Sequence, residues 1–357
     1  MKIAIVDVAA ESGGALSVLK DFLNYISSLD ADTNEYFVFV SMKIDIVKSN
    51  IHYIVDPGIK KSWFSRLKWE RFAAVKEFKK LGIDVIISLQ NTAFFSKSIR
   101  QLVYFHNVLL LEKPNKYSLR NKAERKYAVY TRAIAPYTMR SLKYANMIVC
   151  QTNTVKNEIN SFLPGAQIKA VYPNVNVDER FLDTFEGSVR GFVYPTASLP
   201  FKKIETVVKS VEKHKEWFVE NKIEFLITID GNENEYAAQI KRLSEGLQPI
   251  KLIGYQKRED IFRLYRDHAL LVNSELESYP IPFREAQLIG APIVAADYPY
   301  AQEILGNDPQ AFLFRKNDID DMFSKMKTAL HACRRQGNQC NNVNSWETIL
   351  EILCELN

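Results

Sequence analysis

The sequence has few cysteines, and they do not have the spacing of a metal site. Its four cysteines, Cys150, Cys333, Cys340 and Cys354, include no paired C-x-x-C element of the kind that binds zinc. Nothing in the sequence indicates a secreted protein held together by disulfides. We therefore expect reduced thiols in a cytoplasmic protein, with Cys150 in the core.

Long apolar runs are also missing. The opening MKIAIVDVAA lacks the basic region and apolar run of a secretory signal, and runs such as KIEFLITID are only long enough for strands. There is no 20–50-residue repeat and no low-complexity tract. These absences argue against a membrane-spanning protein and against a repeat architecture.

Charge is unevenly distributed along the chain. Residues 1–180 carry 26 Lys and Arg against 16 Asp and Glu, a net charge of +10, whereas the remainder carries 21 against 26, a net charge of −5. The asymmetry indicates that the first half meets an anionic surface. The alternative is two ordinary domains with uneven surfaces.

Strand-like apolar runs alternate with amphipathic helical stretches in two series. The first opens with KIAIVDVA, a Gly13-Gly14 loop and a helix, and the second runs from RGFVYPTA to APIVAAD. This pattern predicts an α/β protein with two Rossmann-like, doubly wound parallel sheets facing across a cleft. We place the domains at 1–180 and 181–340, followed in 341–357 by a C-terminal helix, capped by Asn344 or Ser345, that can return to the first domain.

The stretch SELESYPIPFREAQ separates two glutamates by seven residues. Because Pro280 and Pro282 cannot occupy a helix interior, Glu277 is expected in a loop after the strand ALLVNS. Glu285 is expected in the first turn of a helix that starts near Pro282. Two carboxylates beside a helix N-terminus suit the hydroxyls and the diphosphate of a nucleotide sugar. Alternatively, Glu285 only favours its helix dipole and Glu277 is solvated.

The longer stretch SELESYPIPFREAQLIGAPIVAADYPYAQEI resembles the signature of retaining family-4 glycosyltransferases, which have the GT-B fold. The residues that match are Glu277, Glu285, Ala286, Gly290, Pro292, Val294 and Glu303. The resemblance implies that Glu277 contacts the donor sugar and that Glu285 holds the ribose. It also implies that the backbone of Ser278, Tyr279, Pro280 and Ile281 lines the sugar and diphosphate. Pro280 stands where the family often has Gly, and it removes one N–H donor.

The same resemblance assigns roles to residues elsewhere in the chain. Lys202 matches the family's lysine on the diphosphate, whereas the family's arginine falls on Thr196, so Lys203 is a substitute candidate. Gly13 and Gly14 match an anion-binding loop, and Gly254 is a further donor-site residue. His106, just after the strand QLVYF, is implied near the donor sugar and acceptor, with Gln90 and Asn91 as polar contacts. The alternatives are that His106 is a buried core histidine, that Gly13 and Gly14 only form a tight turn, and that Lys202 and Lys203 are solvated.

By resemblance, the chain is a retaining, metal-independent hexosyltransferase without a permanent cofactor. It would transfer a hexose from a UDP- or GDP-sugar to a lipid-linked glycan by front-face displacement, in surface polysaccharide or glycoconjugate synthesis. Lys202 would stabilise the leaving diphosphate, while Glu277 and His106 would position the sugar. Alternatives are a sugar-nucleotide hydrolase or epimerase of the same fold, a non-catalytic sugar-nucleotide or glycan-binding subunit, and a membrane-surface or nucleic-acid-binding protein whose α/β core is structural.

Two basic, aromatic stretches, 60–80 and 116–144, each carry eight Lys and Arg. Such stretches can lie at an anionic membrane surface, so we expect a peripheral protein at the inner face of the membrane. No nucleic-acid motif accompanies them, and we expect no nucleic-acid partner. The alternative is an amphipathic helix whose aromatic side chains face the core.

Overall fold

The computed structural model describes residues 1–11, 13–182, 189–332 and 344–356. The chain forms two compact units. The first consists of Met1–Asn115, Val129–Pro173 and Asn342–Asn357, and the second consists of Lys116–Ala128 and Asn174–Asn341. The boundary thus lies at Pro173 rather than at residue 180, and the second unit includes a short segment from the first half of the sequence.

A seven-stranded parallel sheet is the centre of the first unit. Its strand order is β3-β2-β1-β4-β5-β6-β7. The strands are β1 (Lys2–Asp7), β2 (Glu35–Val40), β3 (Ile51–Val55), β4 (Val85–Ser88), β5 (Arg100–Phe105), β6 (Met147–Cys150) and β7 (Ile168–Ala170). The predicted strands are confirmed, and β3 and β7 are additional short strands at the two edges.

Helices cover both faces of this sheet. They are α1 (Gly13–Ser28), α2 (Pro57–Lys60), α3 (Trp63–Lys68), α4 (Ala74–Leu81), α6 (Ala135–Leu142), α7 (Asn153–Phe162) and α15 (Ser345–Glu355), whereas α5 (Arg125–Val129) belongs to the second unit up to Ala128. Single π-helical turns, Trp69–Ala73 and Tyr130–Ile134, join α3 to α4 and α5 to α6, and a 3₁₀ turn covers Val108–Leu111. Side chains alternate across β1, so Ile3 and Ile5 face α1 whereas Ala4 and Val6 face α4.

Helix α15 is part of the first unit's core. Asn344 caps it by accepting from the Trp346 N–H, and the buried Trp346 ring lies 4.8 Å from the ring of Phe22 on α1. The Trp346 indole also donates to Asp21 at 2.7 Å. The last helix therefore completes the apolar layer that β1 and α1 begin.

The second unit contains a six-stranded parallel sheet with the order β10-β9-β8-β11-β12-β13. Its strands are β8 (Gly191–Tyr194), β9 (Glu224–Ile227), β10 (Ile250–Leu252), β11 (His268–Val272), β12 (Ile293–Ala296) and β13 (Ala311–Phe314). Its helices are α8 (Ile204–Lys213), α9 (Lys215–Glu220), α10 (Glu235–Ser244), α11 (Arg258–Leu264), α12 (Ile281–Ile289), α13 (Pro299–Leu305) and α14 (Ile319–Leu330). One apolar cluster extends through the unit. The predicted elements are confirmed, except that the helix expected over 202–221 is interrupted at His214.

The segment Lys116–Ala128 joins the second unit through specific contacts. Lys116 pairs with Glu275 at 3.0 Å, and the Tyr127 ring packs edge-on against Phe201 at 5.8 Å. These contacts explain why a segment between two parts of the first unit belongs to the second. The basic stretch 116–144 is therefore divided between the two units.

Two further expectations concern thiols and membrane spans. In the described part of the chain Cys150 and Cys354 form no disulfide, and Cys150 is buried as predicted, while Cys333 and Cys340 lie outside the described residues. Within the described ranges, every helix is too short or too polar to cross a membrane.

Candidate functional site

The loop after β11 is held against the 3₁₀ turn Pro200–Lys202. The Glu275 N–H donates to the Phe201 carbonyl at 2.7 Å, and the Asn273 side chain donates to the Lys203 carbonyl at 3.1 Å. Both segments follow the carboxyl ends of neighbouring strands, β8 and β11, where open α/β sheets bind ligands. The two hydrogen bonds fix the loop and the turn as one structure.

Lys202 and Glu277 form an ion pair on this structure. Lys202 Nζ donates to Glu277 Oε1, and both side chains are only 17% exposed. The Tyr194 hydroxyl donates to the Lys202 carbonyl at 2.7 Å and fixes the turn beneath the amine. The two residues assigned to the reacting end of the donor are therefore adjacent. A bound anion would compete with Glu277 for the Lys202 cation.

Lys203 lies beside this pair and contacts a different carboxylate. Its backbone is left-handed, with φ of 51°, and its amine lies 3.5 Å from Glu275, which Lys116 also contacts. Burial raises the pKa of Glu275, but the Lys116 and Lys203 cations outweigh burial, and the pKa is lower than its ordinary value. Lys203 thus lies near the site, and its amine is already paired with the ionised carboxylate of Glu275. The sequence around Lys116 contains no motif that would predict its place beside this site.

Glu285 is buried and held by an arginine. The Arg258 Nε lies 2.7 Å from Glu285 Oε1, and the Glu285 side chain is 7% exposed. Burial raises the pKa of Glu285, and the Arg258 cation lowers it only in part. The helix begins at Ile281, as predicted near Pro282, but Glu285 is its fifth residue and lies in the second turn. The prediction of the first turn was wrong because the helix starts one residue before Pro282.

The segment Ser278–Ile281 leads into the N-terminus of α12. Pro280 is the N-cap, and among the described residues no side chain caps this end. Neither Pro280 nor Pro282 has an N–H, and the Phe283 N–H donates to the Pro280 carbonyl at 3.0 Å. The helix end therefore has fewer donors for an anion than an ordinary helix N-terminus.

Gly254 and Thr196 flank the same edge of the second sheet. Gly254 follows β10 with φ of +67°, a conformation that favours glycine, and its N–H donates to Ile229 at 3.1 Å. The Thr196 N–H donates to the Thr228 hydroxyl at 2.7 Å, so Thr196 is part of the turn after β8. Thr196 supplies no cation, which leaves Lys202 and Lys203 as the basic residues of that turn.

In the first unit, polar side chains gather at the carboxyl ends of β4 and β5. His106 follows β5, and its Nε2 lies 3.0 Å from the Leu89 carbonyl and 3.3 Å from the Asn91 side-chain nitrogen. The shorter contact, with a carbonyl that can only accept, favours the tautomer with the proton on Nε2. Asn91, left-handed with φ of 66°, accepts the backbone N–H groups of His106 and Asn107. Burial lowers the pKa of His106. The imidazole is therefore neutral at neutral pH and oriented by its neighbours.

Gly13 and Gly14 open helix α1, also in the first unit. Gly13 has φ of +64°, both residues are exposed, and a Cβ on either would meet open space. At Gly13 the backbone conformation favours glycine, whereas neither the conformation nor the space around Gly14 requires it. Of the predicted site residues, Gly13, Gly14, Gln90, Asn91 and His106 thus lie in the first unit and the others in the second.

Two features complete the site's description. Arg258 was missed from the sequence because a single arginine 27 residues before its partner carries no spacing signal. In the part of the chain that the structure describes, no three His, Cys, Asp or Glu side chains come together as a metal-binding group.

Comparisons with known proteins show which family and which solved structures this chain is similar to. Residues 191–343 match the family model of glycosyl transferases group 1. This range contains Lys202, Arg258, Glu277 and Glu285. The family match thus lies almost entirely within the second unit, and the chain has the predicted GT-B fold.

Solved structures resemble the whole chain. Sucrose-phosphate synthase from Thermosynechococcus elongatus is 14% identical with a TM-score of 0.68, and the match covers 98% of this chain and 94% of that one. A glycosyltransferase from Rickettsia africae is 18% identical with a TM-score of 0.65 and coverages of 99% and 98%. Anabaena HepE, solved with UDP and glucose, is 14% identical with a TM-score of 0.65 and coverages of 99% and 100%. At these identities the likeness establishes the fold, and no curated protein matches the sequence.

Proposed function

We propose that the protein is a retaining glycosyltransferase that moves a hexose from a nucleotide diphosphate sugar to a glycan acceptor. The observation that carries the proposal is the ion pair between Lys202 and Glu277 at the carboxyl edge of the second sheet. The pair lies within the range matched by the glycosyl transferases group 1 model. The Lys202 cation and the carboxylate of Glu277, which we propose to bind the sugar, are therefore adjacent at the edge where open α/β sheets bind ligands.

The pair suggests how the residues divide the chemistry. Negative charge grows on the diphosphate as the glycosidic bond breaks, and the Lys202 ammonium would stabilise it. Glu277, released from Lys202 by the diphosphate, would accept hydrogen bonds from donor-sugar hydroxyls. The leaving diphosphate would take the acceptor's proton in a front-face displacement. Because α12 offers few N–H donors, we assign more of the diphosphate's stabilisation to Lys202 and Lys203.

Glu285 is proposed to bind the ribose hydroxyls of the nucleotide. Arg258 occupies Oε1 and favours the ionised carboxylate, which accepts hydrogen bonds more strongly. A UDP- or GDP-sugar is proposed as the donor, without a permanent cofactor or metal. The solved HepE complex with UDP and glucose supports a uridine nucleotide as the first donor to test.

The proposed acceptor is a lipid-linked glycan of surface polysaccharide or glycoconjugate synthesis, met at the inner face of the membrane. Support comes from the continuous helical stretch of α3, the π turn and α4, which carries six of the eight basic residues of 60–80. Trp69 and Phe78 lie in the core, whereas Trp63, Phe64 and Phe72 are 38%, 77% and 62% exposed. Exposed aromatics beside lysines and arginines suit an anionic lipid surface.

The test combines binding and turnover with matched variants. Calorimetry should show that Glu285→Ala weakens binding of free UDP or GDP, since the ribose contact is lost. Glu277→Ala should bind the free nucleotide as the wild type does and lose sugar transfer. A thermal-shift panel of UDP-, GDP- and ADP-sugars identifies the donor first, because a ligand of the folded state raises the melting temperature.

Other outcomes identify the alternatives. Nucleotide-sugar turnover without an acceptor would indicate a hydrolase or epimerase. Donor binding without turnover would indicate a binding subunit. If neither variant differs from wild type in binding or transfer, the assignment of the glutamate pair is wrong.

A further inference from the structure

A third lysine amine joins the turn and the loop that carry Lys202 and Glu277. Lys116 Nζ lies 3.0 Å from Glu275 Oε1, and the Lys116 side chain is 25% exposed. Lys203 Nζ lies 3.5 Å from the other oxygen, Glu275 Oε2. One carboxylate is therefore placed between two amines, and each of its oxygens faces one of them.

The backbone fixes this carboxylate beside the ion pair of Lys202 and Glu277. The Glu275 N–H donates to the Phe201 carbonyl at 2.7 Å, in the turn that ends with Lys202. Glu275 and Glu277 are separated by one residue of the same loop. One charged cluster therefore includes Lys116, Lys202, Lys203, Glu275 and Glu277.

Buried aromatic rings hold Lys116 in this cluster. Its neighbour Tyr117 is 5% exposed, and the Tyr117 ring lies 5.4 Å from the ring of Tyr127, which packs edge-on against Phe201. The Lys116 ammonium lies 5.9 Å from the centroid of the Tyr117 ring, within the range of a cation–π contact. Because Phe201 belongs to the same turn as Lys202, these contacts place Lys116 against that turn.

The charged cluster carries more positive than negative charge. Its three ammonium groups face two carboxylates, so a charge of +1 stays uncompensated within the cluster. Burial raises the pKa of Glu275, but the Lys116 and Lys203 cations lower it by more, so this carboxylate is ionised. A partly buried cluster with an excess of cations attracts anions.

A phosphate group can replace Glu275 on the two amines. It presents more acceptor oxygens than a carboxylate and carries at least as much charge. A neutral ligand cannot do so, because it would break an ion pair without supplying a charge in return. The chemistry of the cluster therefore selects a phosphate-bearing ligand.

The same edge of the second sheet offers few other donors for a diphosphate. Thr196, in the turn after β8, supplies no cation. Pro280 and Pro282 have no N–H, so the start of α12 has fewer donors than an ordinary helix N-terminus. Lys116 supplies a cation from a distant part of the sequence.

We propose that Lys116 binds the diphosphate of the nucleotide sugar together with Lys202 and Lys203, and that Glu275 occupies the Lys116 amine until the donor binds. The proposal rests on the proposed glycosyl transfer and adds a donor-binding residue to that site. The diphosphate replaces one ion pair by another, so the Lys116 charge is compensated before and after binding. No covalent bond changes in this exchange.

Calorimetry of UDP and GDP binding to the full chain tests the role of Lys116. Lys116→Met should weaken binding of the nucleotide by about tenfold, because a charge-assisted contact to the diphosphate is lost. Lys116→Arg keeps the charge and should keep most of the affinity. Lys113→Met removes an exposed lysine just before Lys116 and should bind the nucleotide as the wild type does.

Glu275→Gln separates a ligand-binding lysine from a structural one. If Lys116 contacts the diphosphate, this variant should bind the nucleotide at least as tightly as the wild type, because the competing carboxylate is gone. If Lys116 only anchors its segment to Glu275, removing either partner should cost the same affinity. Equal losses in Glu275→Gln and Lys116→Met would therefore overturn the proposal.

The remaining outcomes are equally decisive. Wild-type binding of UDP and GDP by Lys116→Met would refute the role of Lys116 and leave the proposed function in place. If the wild type bound no nucleotide and no nucleotide sugar, the proposed function itself would be refuted.

Discussion

Arg258 holds Glu285 at 2.7 Å across the space between α11 and α12, so the carboxylate assigned to the ribose is already engaged at one oxygen. The guanidinium orients this carboxylate and favours its ionised form. Glu285 is thus prepared for ligand binding by a residue from another helix.

Replacing Arg258 by methionine should raise the pKa of Glu285 further, because burial would then act unopposed. As the pH falls, more of Glu285 becomes protonated and stops accepting hydrogen bonds. Calorimetry should show a loss of UDP or GDP affinity of about tenfold, roughly 1.4 kcal/mol, that is larger at pH 6 than at pH 8. Arg263→Met, on the same helix and 58% exposed, is the control and should bind normally. Equal affinities for both variants at pH 6 would contradict this role of Arg258.

Lys202→Ala should lower kcat for sugar transfer by about 10²-fold, since a preorganised donor to the developing charge is lost. Lys202→Arg keeps the charge and should recover part of the rate. Lys209→Ala removes an exposed lysine from α8 and should have the wild-type rate. A change confined to KM, with kcat preserved, would argue that Lys202 binds the donor without stabilising the transition state.

The exposed aromatics of α3 and its neighbouring π turn should anchor the protein to anionic membranes. Phe64→Ser with Phe72→Ser should reduce flotation with phosphatidylserine-containing vesicles several-fold, because both rings are exposed. Tyr255→Ser, an 87% exposed ring of the second unit, serves as the comparison. Wild-type flotation should also fall as salt rises. Unchanged flotation of the double variant would remove these rings from the membrane proposal.

Asp7→Asn should stabilise the protein, and more so at high pH. The folded-state pKa of Asp7 is raised from 3.8 to about 7, so between these values the folded protein holds a proton that the unfolded chain releases. Its contribution to stability therefore falls as the pH rises from about 4 to 7. Thermal melts at pH 5 and pH 8 should show the larger gain at pH 8, of the order of 2–4 kcal/mol at most. A gain that is independent of pH would show that Asp7 is ionised throughout.

Trp346→Ala should destabilise the first unit by about 3–5 kcal/mol, because it removes a buried indole and its hydrogen bond to Asp21. Urea unfolding followed by circular dichroism measures the change. Glu351→Ala, exposed on the same helix, should stay within about 0.5 kcal/mol of wild type. If Trp346→Ala lowered the free energy of unfolding no more than Glu351→Ala does, the apolar face of α15 would contribute little to stability.

Much of the fold was predictable because buried parallel strands are short apolar runs between amphipathic helices. The strands missed were β3, β7 and β13, which lie at sheet edges. Their residues are only partly buried, as in Ile168–Ala170, so they lack the continuous apolar run on which prediction depends.

Residues of the candidate site could be proposed from the sequence only where they share a motif or follow a predicted strand. Glu277 and Glu285 stand in one stretch with their prolines, and Lys202 follows a strand. Arg258 and Lys116 act through partners distant in sequence, and no spacing rule connects them. Likewise, the sequence around Asp7 is that of an ordinary strand end, and only the fold places this residue at a cavity.

Helix α15 has a consequence for how the protein is made. The apolar layer of the first unit lacks Trp346 and its neighbours until residues 345–355 have left the ribosome. Apart from Lys116–Ala128, the second unit lies in the sequence between Pro173 and helix α15. Its sheet can therefore form earlier during synthesis. Although domains generally fold from the N-terminus as they emerge, here the unit that begins first should reach its native core last.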